Sequence, residues 1–469
     1  MRTLATLSLT ALLAIPAVPA GASSPELAWT PCRGTITGWY PDDQRSECTT
    51  IPVPEDYANP DGPKVSLAVS RISASSPANR RGVLLINPGG PGNSGVDMPY
   101  QLSHTKVADI GADYDLIGFD PRGVAFSDGK ECADSPADGP DPDPTAGAFT
   151  QFRQGYAKSA RENARCTGYD PAFIANLSTD VVARDMDSIR IALGEQKISY
   201  YGMSWGTALG AVYRSRYDQH VDRMLLDSVM PPDFSLRAMN DGEVLASQQE
   251  FDRFAQWVAA RDSQYHLGTS VQDITNVVTG LSRDLAAHPR TFPPNVSFSQ
   301  GNLALIITYA RSRWPDVAAS VEALRDGRTP PLLGTEADDT GGFGLTSTTS
   351  AGILMERSVL CNDQGADPDA STLWRQQQQR QARYPLMAGQ AGYQYWCAGW
   401  PLPAQPWNLS RGSSNLLLVR HRYETVTPYV WARQMQQRIG GTLFTVDDDI
   451  HCSLDNSSQA GVAVQFFDA

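Results

Sequence analysis

Along the 469-residue chain the spacing of apolar and polar positions changes period several times, and each change marks an element. Residues 29–60 end in C-T-T-I-P-V-P-E-D-Y-A-N-P and read as an N-terminal β segment closed by a proline-rich turn. Residues 64–71 (K-V-S-L-A-V-S-R) alternate apolar and polar, as a half-buried strand does. Residues 82–86 and 114–119 are nearly continuous apolar runs, as buried central strands require, and 221–227 (V-D-R-M-L-L-D) is the next strand. Between them, Val182, Met186, Ile189 and Leu193 keep helical spacing over residues 179–194, and Gly194 stops the helix. Strand and helix in alternation predict a parallel sheet. After Pro231-Pro232 the strand pattern fades. Helices are expected at 243–261, 271–287, 301–325 and, rich in Gln and Arg, at 372–383. Residues 334–350 are a Gly/Thr/Ser/Asp-rich loop, and 353–361 fit a helix or a strand equally. The sheet resumes at 415–419 and 441–446, with helices at 428–438 and 459–467. No internal repeat is present.

This pattern divides the chain. Arg2, an apolar run over 4–18 and the small-x-small triplet Ala20-Gly21-Ala22 make 1–22 an export signal, with the mature chain starting near Ser23. The core then occupies 23–230 and 406–469, and 231–405 form an inserted, mainly helical lid after the sixth core strand. No later segment is apolar enough to span a membrane. A formal net charge of -13 argues against nucleic acid as a partner, because no basic stripe is there to neutralise phosphates. Export gives meaning to the seven cysteines. They fall into the neighbouring pairs Cys32–Cys48, Cys132–Cys166 and Cys361–Cys397, with Cys452 left over beside His451. A zinc site is the rival reading, but no C-x-x-C occurs and the histidines are scattered.

The chemistry converges on residues 198–209 (I-S-Y-Y-G-M-S-W-G-T-A-L). A β-leaning run enters G-x-S-x-G and leaves in helix-forming residues. That is the context in which the motif presents a nucleophile: Ser204 on a sharp strand-to-helix turn, with helix N–H groups behind it. With this turn on a central strand, the architecture is similar to the α/β-hydrolase fold, a mostly parallel sheet with helices on both faces. A serine needs a base, and the base needs an acid. In such folds the order is serine, acid, histidine, each after its own strand. The loop after 415–419 holds Glu424, and the loop after 441–446 holds His451. Asp447, Asp448 and Asp449 compete with Glu424 but lie too near the histidine in sequence. The backbone N–H of Trp205 and of Gly90, from N-P-G-G-P-G at 87–92, are the expected oxyanion donors. The same loop as a phosphate cradle lacks the Lys-Ser/Thr of a P-loop and the G-x-G-x-x-G spacing. Neither metal nor organic cofactor is called for.

N-P-G-G-P-G at 87–92, D-P-R-G-V at 120–124, K-I-S-Y-Y-G-M-S-W-G-T at 197–207, R-M-L-L-D at 223–227, C-N-D at 361–363, C-A-G-W at 397–400 and V-T-P-Y at 426–429 together resemble the secreted tripeptidyl aminopeptidases. These belong to the proline iminopeptidase-like branch of the α/β-hydrolases. The resemblance implies a secreted exopeptidase that removes short pieces, typically tripeptides, from peptide N-termini. It further implies lid carboxylates that hold the substrate α-amino group, with Glu243, Glu250, Glu356 and Asp363 as candidates. Three features depart from the family pattern. Glu424 stands where Asp is usual, Ile450 and Cys452 flank His451 where glycine is usual, and Ala125 follows D-P-R-G-V where glycine is usual. An esterase or amide hydrolase acting on a small molecule, and a hydrolase fold kept only for binding, are the rival readings.

Overall fold

The structure, a computed structural model, describes residues 27–132, 135–334 and 350–469. The expected export signal, and 335–349 of the Gly/Thr-rich loop, lie outside the described residues.

The apolar runs become one nine-stranded sheet. Its strands are β1 (Thr30–Pro31), β2 (Glu47–Pro54), β3 (Lys64–Ile72), β4 (Gly82–Asn87), β5 (Tyr114–Phe119), β6 (Ile198–Met203) and β7 (Val221–Asp227). A small separate hairpin, β8 (Arg290–Phe292) and β9 (Val296–Phe298), comes next in the chain, and β10 (Asn415–His421) and β11 (Thr442–Val446) complete the sheet. The order across the sheet is β1-β2-β3-β5-β4-β6-β7-β10-β11. The pairs from β5 through β11 are parallel, while β1, β2 and β3 form the antiparallel edge. Every residue of β4 and β6 is buried, as a strand covered on both faces must be. The two-residue period sorts β4 onto two cores. Val83 and Leu85 join one cluster with Val182, Met186 and Ile189 of the helix Thr179–Ala192. Leu84 and Ile86 join the opposite cluster with Ala463 and Phe467 of the C-terminal helix Gly461–Asp468.

The segment between β7 and β10 builds a core of its own. Phe251 and Phe254 from the helix Leu236–Ala259, Ile274 and Val278 from Val271–Ala287, and Val317 and Val321 from Trp314–Arg325 are all buried there together. The helix Ser350–Gln364 instead packs Met355, Val359 and Leu360 into the main core. Three disulfides, Cys32–Cys48, Cys132–Cys166 and Cys361–Cys397, join neighbouring elements, and Cys452 is buried and free.

The structure decides one stretch that the pattern left open and differs from the periodicity reading in three places. Residues 353–361 are helical throughout. The expected helix at 301–325 is two, Gln300–Ile306 and Trp314–Arg325, the second restarted with Pro315 in its first turn, where proline's missing N–H costs nothing. The β8–β9 hairpin adds two short strands to the mainly helical insertion, where the strand pattern had faded. The 22-residue helix Ala148–Tyr169 has no forerunner in the pattern: it is too polar to show a stripe, and few of its apolar side chains, such as Phe152 and Cys166, are buried.

Candidate active site

Ser204 lies at the C-terminal end of β6, as the residue that opens the helix Trp205–Tyr217. Its φ of 55° is the left-handed conformation, which a residue with a side chain adopts only under constraint. The constraint is visible on both sides. The Ser204 N–H donates to Asp227 O at the end of β7 (3.0 Å), and the Ser204 carbonyl accepts from Thr207 N (2.9 Å) and Thr207 Oγ1 (2.6 Å). Gly202 is needed because a Cβ there would sit 2.4 Å from Gly206 O. Among the described residues the Ser204 hydroxyl caps nothing, so it is free to react.

The loop after β4 closes over this turn. A Cβ on Gly89 would lie 2.9 Å from both Ser204 Cβ and Trp205 N, so only glycine allows the approach. The Gly89 N–H is spent on Asn87 Oδ1 (3.0 Å). The next donor in the loop is the Gly90 N–H, which makes no hydrogen bond among the described residues. The loop is anchored from below by Asp120. Its Oδ1 accepts from Ser94 Oγ, Gly95 N and Val96 N, and its Oδ2 from Phe126 N.

The two loops beyond β10 and β11 bring Glu424 and His451 into direct contact, Glu424 Oε1 to His451 Nδ1. Glu424 is buried, and each of its oxygens is further satisfied. Oε1 accepts from Thr427 N (3.1 Å) and Thr427 Oγ1 (2.6 Å), and Oε2 from Ser228 Oγ (3.0 Å). Ser228 in turn accepts from Cys452 N (2.8 Å), which fixes the residue after His451. Burial alone would raise the Glu424 carboxyl. The charge and hydrogen bond of His451, the charge of His421 and the Thr427 bond outweigh it and hold the carboxyl below its ordinary range. With Nδ1 on the acid, Nε2 is the nitrogen left for a proton from outside. The three aspartates of the base loop are engaged elsewhere: Asp447 with Arg422, Asp448 with His421, and Asp449 with the Arg311 N–H. The Cys452 thiol is pushed up by burial, so it stays protonated and unreactive.

The four lid carboxylates separate into two kinds. Asp363 is buried as an acceptor for Thr179 N, Thr179 Oγ1 and Trp407 Nε1. Glu250 is clamped between Arg311 (2.6 Å) and Arg253 (2.7 Å). Glu243 and Glu356 have neither ion pair nor hydrogen bond among the described residues. Burial raises Glu243 to about 8 and Glu356 to about 7. Both press on the same phenol, that of Tyr393. Glu356 sits one turn beyond Gly352, whose carbonyl would be 2.4 Å from a Cβ on Gly92, so its helix starts directly over the glycine loop. A cavity of about 620 Å³ lies beside the acid, lined by Gly242, Arg253, Tyr423, Glu424 and Tyr429 among others. A smaller one of about 40 Å³ touches His451, Ile450 and Tyr423.

Sequence reasoning missed two features here. One is the stack of Arg311 on Tyr423, guanidinium carbon 3.4 Å from the ring centre, which links the lid to the acid loop. The other is His421, buried between Asp227 and Asp448. Neither has a sequence signal, since the partners come from separate elements.

Comparison with known proteins adds independent findings. A family model described as alpha/beta hydrolase fold matches residues 82–330, and one described as TAP-like protein matches 384–467. The chain is similar to the tripeptidyl aminopeptidase of Streptomyces lividans, 32% identical over 419 residues that cover 86% of this chain and 77% of the relative. It is also similar to carboxylesterase B of Mycobacterium tuberculosis (strain ATCC 25618 / H37Rv), 31% identical over 93% of this chain and 86% of the relative. The serine protease Hip1 of the same strain is 28% identical over 90% of this chain and 84% of the relative.

Proposed function

The chain belongs to the α/β-hydrolase fold family, as a serine hydrolase of peptidase type related to the tripeptidyl aminopeptidases, and from that premise we propose that it is an exported exopeptidase that cuts peptides near a free N-terminus. Ser204 Oγ attacks the scissile carbonyl while His451 Nε2 takes its proton. Glu424 holds the His451 tautomer and stabilises the imidazolium. The N–H groups of Trp205 and Gly90 receive the tetrahedral oxyanion. Collapse transfers the proton to the leaving amine and leaves an acyl-enzyme on Ser204. Water then enters by the same base and releases the N-terminal fragment. Export of the chain after removal of 1–22 agrees with its three disulfides.

The observation that carries the exopeptidase reading is the pair Glu243 and Glu356. Both carboxylates are half-buried, make no ion pair among the described residues and act electrostatically on one tyrosine, which suits them to receive an ammonium group. Glu250 and Asp363 drop out of this role because their oxygens are already taken. A second reading, an esterase, is favoured by the likeness to a carboxylesterase.

Two assays decide. A fluorophosphonate should label wild-type protein and leave Ser204→Ala unlabelled. Tripeptide anilides with a free N-terminus should be cleaved at least about tenfold faster than N-acetylated ones, since a buried charge pair is worth more than about 1.4 kcal/mol. Equal rates with both, together with faster turnover of acyl esters, select the esterase.

A further inference from the structure

His421 ends β10 and is fully buried. Its Nε2 meets Asp227 Oδ1 at 2.9 Å, and its Nδ1 meets Asp448 Oδ1 at 2.5 Å. Both ring nitrogens therefore face carboxylate oxygens, and each contact needs a proton between its atoms. The other oxygen of each carboxylate is already an acceptor, Asp227 Oδ2 from Leu454 N (3.3 Å) and Asp448 Oδ2 from Ser453 Oγ (2.6 Å). Two protons are thus shared between one imidazole and two carboxylates. The imidazole is the stronger base by more than two pKa units in water, so it holds both.

The connections of the two aspartates give this cation a place in the site. Asp227 uses its backbone carbonyl to hold the Ser204 N–H and its side chain to hold His421. Asp448 lies three residues before His451, in the same loop. On its own loop, His421 is three residues before Glu424. We propose that His421 is a positioning residue, a standing imidazolium that ties the loop of His451 to the strand ends beneath Ser204. The inference rests on the Ser204–Glu424–His451 reading above and deepens it.

The surroundings agree in sign. Asp227 faces His421 from β7, and Asp448 and Ser453 from the base loop. Glu424 lies nearby on its own loop, and Asp455, Cys452 and Tyr201 lie around Asp227. The neighbouring arginines turn away, Arg420 onto Thr445 and the Tyr429 ring, and Arg422 onto Asp447. Burial opposes the charge on His421, but Asp227, Asp448 and Glu424 more than offset it and raise the group to about 11. With both nitrogens occupied, His421 cannot act as a second base. Its charge also helps keep Glu424 ionised.

The first test does not depend on catalysis. In the intact protein labelled with 15N-histidine, the His421 signals are assigned by their loss in His421→Gln. Both its ring nitrogens should remain protonated from pH 6 to pH 9, and a neutral ring at pH 8 overturns the proposal. The second test reads kcat/KM against pH. In His421→Gln a positive charge leaves the neighbourhood of His451, so the acid limb should move up by about one pH unit. In Asp448→Asn a negative charge leaves, so the limb should move down. A scaffold without an electrostatic role would lower kcat/KM equally at all pH values and leave the limb in place, and that result sinks the idea. If His421→Gln does not fold, Asp448→Asn decides the second test and also supplies the assignment for the first, because it alters the Nδ1 signal. Wild-type protein that neither turns over a tripeptide anilide nor labels with fluorophosphonate would refute the triad reading, whereas a neutral His421 in an active enzyme refutes only this one.

Discussion

Glu243 and Glu356 set a cost that the folded molecule carries whenever they are ionised. A carboxyl raised from its ordinary 4.5 to about 8 or about 7 favours the folded state only while protonated. The sign follows: its contribution is fully present below pH 4.5 and is lost as pH rises through the folded value. Glu243→Gln keeps the shape and removes the titration. The variant should therefore melt about 2 °C or more above wild type at pH 8.5, with little difference at pH 4.5, in paired thermal scans. The same substitution should raise KM for free-amine tripeptide substrates while leaving N-acetylated ones unchanged. A variant that melts lower at pH 8.5 would mean that Glu243 has a cation partner after all. Glu424 is the opposite kind of carboxyl, satisfied by Thr427, Ser228 and His451 and held low. Glu424→Gln should cut kcat by about 10³–10⁴-fold, as loss of the orienting acid does in such triads, with a smaller change in KM. Steady-state kinetics against a tripeptide anilide would read both, and a near-wild-type kcat would remove Glu424 from the mechanism.

At the level of elements, legibility tracked the kind of force that holds each piece. Strands such as β4 and β6 are buried on both faces, and the helix Thr179–Ala192 buries one stripe, so their periods show in the sequence. The places of Ser204, Glu424 and His451 were legible for a related reason: each follows a strand, and order along the chain marks those positions. The helix Ala148–Tyr169 is held by other means. Cys166 ties it to Cys132, and Asn163 Nδ2 donates to the carbonyls of Trp396 and Ala398. No apolar stripe records such bonds. Likewise, His421 owes its role to the parallel register of β7, β10 and β11, which no local pattern encodes. The Arg311 clamp is also of this kind. Arg311 pairs with Glu250, lies 3.4 Å over Tyr423, and through its N–H holds Asp449 two residues before His451. It therefore joins the lid to both the acid and the base loop. Arg311→Ala should lower kcat/KM by about tenfold, roughly the worth of one such partly buried stack and ion pair. Arg311→Lys should recover little, because an ammonium cannot lie flat on a ring while pairing with Glu250. Full recovery with lysine would reduce the clamp to simple charge.

Over the whole molecule, the two cores on the faces of the sheet and the third core of the insertion divide the labour. The sheet holds the groups proposed for chemistry, and the proposed amino-group receptor is shared between a helix of the insertion, which carries Glu243, and the helix Ser350–Gln364, which carries Glu356. The second helix is fastened by Cys361–Cys397, a link spanning 36 residues. A crosslink of that span removes chain entropy from the unfolded state worth about 3–4 kcal/mol. Asp363 next to it accepts from Thr179 and Trp407, so one turn of this helix is bound to the main core from both sides. Breaking the disulfide should consequently loosen Glu356 before it disturbs Ser204, which depends on β6, β7 and the glycine loop. The double variant Cys361→Ser/Cys397→Ser should melt earlier than wild type. Below its melting point it should label with fluorophosphonate at close to the wild-type rate, while its preference for free over acetylated tripeptide anilides shrinks severalfold. Labelling measured beside that ratio separates the two effects. If labelling and preference fall together, receptor and nucleophile are one cooperative unit, and the division of the site between sheet and lid is wrong.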